Sequence, residues 1–321
     1  MKKKKIKLKK QVWILLGIII LLIIGINFGK KKYKEYKYKQ TYEYKLLQKG
    51  YTIDEYKLLK NNFNEKELSG FLNKEKDDIT LNLLKEKYFI KKNYSDYLNY
   101  YNSNKDFPLK KVVAAVNTNT NREYYENPKE ANLNKDYLIL VNKYYYLKDD
   151  YSPSDLVIIS SKYAWGENGS KETRQIALNA YLNMYEAAKN DGIDLMINSS
   201  YRTYENQQTV YKKYEDREGT IYADEIAARP GHSEHQTGLA LDIFSKTNSN
   251  TKTFKDSEAY KWLLDNSYKY GFILRYPEGK EYLTGFSFES WHYRYVGIEA
   301  ATYIYNNDIT FDEYYAYFLD N

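Results

Sequence analysis

The stretch Arg229-Pro-Gly-His-Ser-Glu-His-Gln-Thr-Gly-Leu-Ala-Leu-Asp-Ile-Phe244 decides how this chain reads. It holds two of the 3 histidines in 321 residues, His232 and His235, and the third closes a distant window, Glu289-Ser-Trp-His292. Pro230, Gly231 and Gly238 oppose a helix across the first window. Leu239–Phe244 is a short apolar run that reads as a buried strand, and His292–Val296 reads as another. A loop therefore delivers His235, one strand delivers Asp242, and a second strand delivers His292. Two imidazoles and one carboxylate make a three-ligand zinc set with a fourth position left for water, which is the pattern of a catalytic rather than a structural Zn²⁺. Glu289, three residues before His292, lies near such a metal and is free to act as a general base.

Taken singly, each residue has a plainer reading. Asp242 fits a hydrogen-bonded buried aspartate, His292 a packed core histidine beside Trp291, and Glu289 a solvated loop residue. Their gathering is what points to a metal. His232 reads as a loop residue near the site rather than a ligand, because three ligands are already at hand.

The spacing Ser233-Glu-His235 through Gly238-Leu-Ala-Leu-Asp242, followed by Glu289-Ser-Trp-His292-Tyr-Arg-Tyr-Val-Gly297, resembles the D-alanyl-D-alanine carboxypeptidase family of the VanY type. These zinc peptidases share Ser-x-His-x(6)-Asp followed by Glu-x-x-His. Upstream, Ser199-Ser-Tyr-Arg202-Thr-Tyr-Glu-Asn-Gln207 resembles the family's substrate-binding strand and turn. Leu140–Tyr144 and Tyr151–Leu156 resemble the lead-in of the same domain. The resemblance runs from about Asp136 to Tyr305, with no departure at the metal or base positions. It implies His235, Asp242 and His292 as zinc ligands, Glu289 as base and Arg202 at the substrate. It also implies peptidoglycan stem peptides as substrate and removal of their terminal D-alanine. L,D-carboxypeptidases and wall endopeptidases share the framework, and a zinc-containing cell-wall recognition module is the non-enzymatic alternative; an intact Glu289 argues against the module.

A carboxypeptidase must hold a free terminal carboxylate, and the planar, permanently charged guanidinium of Arg202 matches that group. Gln207 and Ser233 are further candidates for contacting the peptide, and Trp291 for walling the pocket. Without the resemblance, Arg202 reads as one half of a surface salt bridge.

Composition frames the rest. The chain has no Cys, which excludes disulfides and thiolate metal sites. Its 39 Tyr carry no function of their own. Residues 1–40 hold 13 Lys and one Glu, +12, so the remainder of a chain with net charge +6 carries 6 − 12 = −6. The basic character is juxtamembrane, suited to anionic lipid, and is no nucleic-acid footprint. Val12–Phe28 is an apolar run at the short end of the spanning range. It is followed by lysines rather than a small-residue cleavage site, which favours an uncleaved anchor over a signal peptide. The expected organisation is a basic cytoplasmic tail (1–10), a transmembrane helix (11–29), a basic linker (30–50), a helical spacer (51–107) and a zinc carboxypeptidase domain (108–321) outside the cytoplasm.

Within the spacer, Thr52-Ile-Asp-Glu55 reads as a capping box, Asn64-Glu-Lys-Glu67 as a second helix start and Asp78-Ile-Thr-Leu as a third. Leu109–Val116 reads as a strand. Ile176, Ala180, Met184 and Ala187 mark one helical face, ended by Gly192 and followed by a strand over 193–198. Thr203 caps a helix running to about Asp216, broken at Gly219. A helix from Asp256 carries Trp262 and Leu263 to Gly271, Phe272–Tyr276 is a strand, and 298–306 is a helix. The fold class is α+β, a small, largely antiparallel sheet with flanking helices of the zinc D,D-peptidase or hedgehog-like kind.

Overall fold

Four strands carry the site. They are β1 (Leu195–Ser199), β2 (Ala240–Ser245), β3 (Phe272–Leu274) and β4 (His292–Tyr295), arranged β1-β2-β4-β3 with every neighbouring pair antiparallel. This is the sheet the α+β reading expects. The computed structural model describes residues 9–167 and 171–320, so most of the basic tail expected over 1–10 lies outside the described residues. Contacts divide the chain into two units, Met1–Lys91 and Lys92–Asn321.

In the first unit one helix, Lys10–Lys39, is long and apolar enough to cross a membrane. It continues through Lys30–Lys39, where a linker was expected, and a second helix follows at Tyr42–Gln48. An unbroken helix there follows from composition, because lysine and tyrosine do not stop a helix as proline would. The capping boxes at Thr52/Glu55 and Asn64/Glu67 both form. The third helix, Asp78–Leu83, is capped one residue earlier, by Asp77. The unit boundary falls inside the stretch read as spacer, so the helix Tyr94–Ser103 belongs to the second unit.

The second unit corrects one element outright. Leu109–Asn117 is a helix, not a strand, with Val112 through Val116 all buried. The run Val112–Val116 is too short and too uniformly apolar to reveal its period, and Pro108, just ahead of the first turn, is the signal that favoured the helix. The helix Gln175–Asn190 forms, but its buried face is Ala177, Tyr181, Met184, Tyr185 and Ala188. The expected face is off by one position because Tyr181 and Tyr185, discounted as composition, bury the largest rings on the helix. Thr203 caps Tyr204–Glu218, accepting from Asn206 N–H at 3.2 Å. Gly219 then turns the chain at φ +87° into a further short helix, Thr220–Ile226. Helices Glu258–Asn266 and Ile298–Asn307 bracket β3 and β4. A last helix, Phe311–Phe318, opens on a Thr310/Glu313 capping box and delivers Asp312 to the core.

Candidate metal centre

Asp242 and His292 are register partners across β2 and β4. Side chains alternate along a strand, so Ala240, Asp242 and Phe244 share one face of the sheet with His292 and Arg294. His235 reaches this face from a 3-10 turn, Glu234–Thr237, whose cap Ser233 accepts from the His235 N–H at 3.3 Å. The turn closes at Gly238, φ +66°, where a Cβ would stand 3.0 Å from the side chains of Arg174 and Leu156. Only glycine takes that backbone without strain in so narrow a gap.

The donor atoms of His235, Asp242 and His292 lie within 4.8 Å of one another. Asp242 Oδ1 stands 3.2 Å from His292 Nδ1 and 3.5 Å from His235 Nε2. It is nonetheless buried without a hydrogen bond. Donors about 2.0–2.1 Å from a tetrahedral ion sit about 3.3 Å from each other. The spacing therefore fits zinc, and an orphaned buried oxygen facing two nitrogens is what a metal would satisfy. The far side of each imidazole is backed by an acceptor, Ser200 O at 2.7 Å from His235 Nδ1 and Glu234 Oε2 at 3.4 Å from His292 Nε2.

The electrostatics agree. Burial pushes the Asp242 carboxyl up, but the two imidazoles outweigh it and hold the group far below the usual carboxylate range. Burial lowers His235. At His292 burial also acts downward, yet Asp242 and Glu234 overcome it and raise the imidazole to about 9. Glu289 Oε2 lies 3.6 Å from His292 Nδ1. Burial, aided by the nearby Asp242 charge and opposed by His292 and Arg202, raises Glu289 to about 7.

A cleft of about 430 Å³ opens over the cluster and is lined by Glu289, Arg202, Gln207, Ser233 and Trp291. Arg202 donates to Gln207 Oε1 at 2.6 Å and to Ser199 Oγ at 2.9 Å. Gln207 in turn donates to Ala228 O at 2.7 Å, so its side chain is committed to bracing Arg202. Trp291 stacks on Phe244, centroids 6.1 Å apart and 9° from parallel. His232 stands apart from the ligand group, its Nδ1 2.7 Å from Asn142 O and its ring 5.0 Å from that of Tyr125. Sequence reasoning missed Tyr276, whose ring lies 4.9 Å from His292, and Phe286 and Phe288 in the cleft wall. It also assigned no role to Glu234, whose one signal was its place between Ser233 and His235.

A family described as VanY, D-alanyl-D-alanine carboxypeptidase, matches residues 170–298. The chain is 44% identical over 185 residues to a putative carboxypeptidase, YodJ, of Bacillus subtilis (strain 168), a match covering 56% of this chain and 66% of that protein. It is 42% identical over 153 residues to a D-alanyl-D-alanine carboxypeptidase of Enterococcus faecalis (strain ATCC 700802 / V583), covering 44% of this chain and 56% of that one. The chain thus spans less than two thirds of the length of these curated relatives. Among solved structures, the LdcB LD-carboxypeptidase is 41% identical with a TM-score of 0.56, covering 59% of this chain and 90% of its own.

Proposed function

This chain belongs to the VanY family of D-alanyl-D-alanine carboxypeptidases, and from that premise we propose that it is a zinc-dependent D,D-carboxypeptidase removing the C-terminal D-alanine from peptidoglycan stem peptides. The observation that carries the reading is the buried Asp242 Oδ1, unbonded between His292 Nδ1 and His235 Nε2, with Glu289 beside it. His235, Asp242 and His292 would hold Zn²⁺, which when bound supplies a Lewis acid that polarises a carbonyl and acidifies water.

The chain's own groups supply the rest. Glu289, raised to about 7, suits a group that takes a proton and gives it back near neutral pH. It accepts a proton from the attacking water and returns it to the departing amine as the C–N bond breaks, so no net proton is consumed. Arg202, braced by Gln207 and Ser199, presents its fork to the terminal carboxylate. Trp291 on Phe244 forms a flat apolar wall, and Ser233 lines the same cleft as a further candidate for contacting the peptide. We take the helix Lys10–Lys39 as a single membrane anchor, with the catalytic domain outside the cytoplasm. A second reading, L,D-carboxypeptidase, is favoured by the likeness to the LdcB LD-carboxypeptidase.

Mass spectrometry of stem peptides incubated with the zinc-loaded chain tests these readings. Loss of D-alanine from pentapeptides alone supports D,D specificity, and loss from tetrapeptides supports the L,D reading. Internal cleavage makes the chain an endopeptidase. Zinc and peptide bound without turnover makes it a recognition module.

A further inference from the structure

Glu234 has no part in the proposed chemistry, yet few side chains in the molecule are better held. It is 1% exposed. Its Oε1 accepts from Arg275 Nε at 2.7 Å and from Arg294 NH1 at 2.9 Å. Arg275 spends its other two nitrogens on Asp312, at 2.6 and 3.1 Å. Arg294 spends NH2 on the carbonyls of Tyr137 and Ile139, at 3.1 and 2.7 Å. Two carboxylates and two guanidiniums balance, so the cluster is neutral without His292. Both arginines bond Glu234 Oε1, and Oε2 is the oxygen that faces His292 Nε2 at 3.4 Å.

An ionised carboxylate can only accept. The imidazole nitrogen opposite it must carry a hydrogen, so Nδ1, the atom that faces Asp242, is the nitrogen that can give its lone pair to a metal. His235 is arranged the other way round. Its Nδ1 faces the Ser200 carbonyl, so its lone pair is on Nε2. The two imidazoles thus turn opposite nitrogens to one point, each chosen by the acceptor behind it. For His235 that acceptor is backbone and cannot be substituted; for His292 it is a side chain.

We propose that Glu234 is a positioning residue that, clamped by Arg275 and Arg294, fixes His292 in its Nε2–H tautomer and ring orientation so that Nδ1 is presented to the metal. The inference rests on the ligand assignment proposed above. An acceptor behind a ligating imidazole typically accounts for roughly 10–100-fold in metal affinity. Glu234→Gln keeps the shape but must turn its one oxygen to the arginines and its NH₂ to His292, which puts a donor against Nε2–H.

Three measurements on the full chain in detergent decide the matter. The first is zinc affinity by competition with a chromophoric chelator, where Glu234→Gln is expected to bind about 10- to 100-fold more weakly than wild type. Unchanged affinity in a folded Glu234→Gln overturns the proposal. The second needs no variant and holds even if Glu234→Gln fails to fold. In the wild type loaded with ¹¹³Cd²⁺, ¹⁵N NMR should show metal coupling at His292 Nδ1 and a proton on Nε2, with the reverse at His235. Coupling at His292 Nε2 overturns the proposal. The third is His292→Ala, which should lose tight zinc binding. Zinc retained at wild-type affinity there overturns the ligand reading and the proposal together, whereas His292→Ala losing zinc while Glu234→Gln keeps it removes only the role of Glu234.

Discussion

On one side of His292 lies Glu234, on the other Asp242, and both carboxylates are buried and held far below the usual range. Glu234 gets there through Arg275 and Arg294, which overcome the cost of burial with direct hydrogen bonds. Asp242 has only imidazoles to lean on, and its Oδ1 makes no hydrogen bond. The arginine-balanced cluster is complete as it stands. The Asp242 side asks for a cation, and burial together with the Asp242 charge raises Glu289 beside it above the usual carboxylate range. A buried carboxylate matched by the chain is structure; one left unmatched beside two imidazoles in an open cleft is a candidate metal ligand.

The largest expected effect tests that contrast directly. Dialysis against a chelator should abolish peptide hydrolysis, and Zn²⁺ should restore it, while far-ultraviolet circular dichroism persists because the arginine-balanced cluster needs no ion. Full activity after complete metal removal would end the distinction between the two sides. Next, Glu289→Gln should leave zinc content intact and cut kcat by roughly 10²–10⁴-fold, the usual yield of general acid–base catalysis. A loss of zinc in that variant would make Glu289 a ligand instead.

On the structural side, Arg275→Met leaves buried Glu234 with Arg294 as its one guanidinium partner and takes from buried Asp312 the guanidinium that pairs with it. Breaking a buried pair typically costs about 3–5 kcal/mol, so urea denaturation should register a loss of that order. A change below about 1 kcal/mol would mean that water or rearrangement satisfies the carboxylates. Arg202→Ala, at the rim of the metal side, should reduce kcat/KM by about 10- to 100-fold on peptides with a free C-terminus, the worth of a charge-assisted contact. It should do little on the amidated peptides; equal losses on both would remove the carboxylate role.

The smallest effect concerns a third buried charge. Lys143 is 1% exposed, donates to Asp224 O at 2.7 Å and sits 4.1 Å from the ring centre of Tyr124. Burial lowers its pKa to about 8. Between that value and the unfolded value of about 10.4 the unfolded chain binds the extra proton, so stability should rise with pH there, by at most about 1.4 kcal/mol per unit. Below pH 8 this contribution is flat. The stability of wild type relative to Lys143→Met, followed by urea denaturation from pH 7 to 10, should therefore climb only above 8. A flat difference across the range would mean the ammonium is better solvated than its surroundings imply.

Much of the site was legible in the chain because chemistry restricts it to few residue types at fixed spacing. Three histidines in two windows, with Asp242 seven residues after His235 and Glu289 three before His292, name the candidate donors and the candidate base without any coordinates. Caps were equally legible, since Thr52/Glu55, Asn64/Glu67 and Thr203 act within a single turn. The same signature at Thr310/Glu313 was there to be read and was passed over. By contrast, Val112–Val116 within Leu109–Asn117 is an unbroken apolar run that does not betray its period, and the tyrosines of Gln175–Asn190 became core only when packed.

What the sequence determined by itself is therefore the kind of chemistry and the residues able to perform it. Tertiary structure alone decided how they are aimed. The antiparallel register sets Asp242 opposite His292, and the turn after Ser233 sends His235 forward and Glu234 behind. Arg275, Arg294 and Asp312, from 41 to 78 residues away from Glu234 in the chain, close on it only in the folded core. Periodicity and capping act over a few residues. A buried charge network and the choice between two imidazole nitrogens depend on partners that local sequence does not announce.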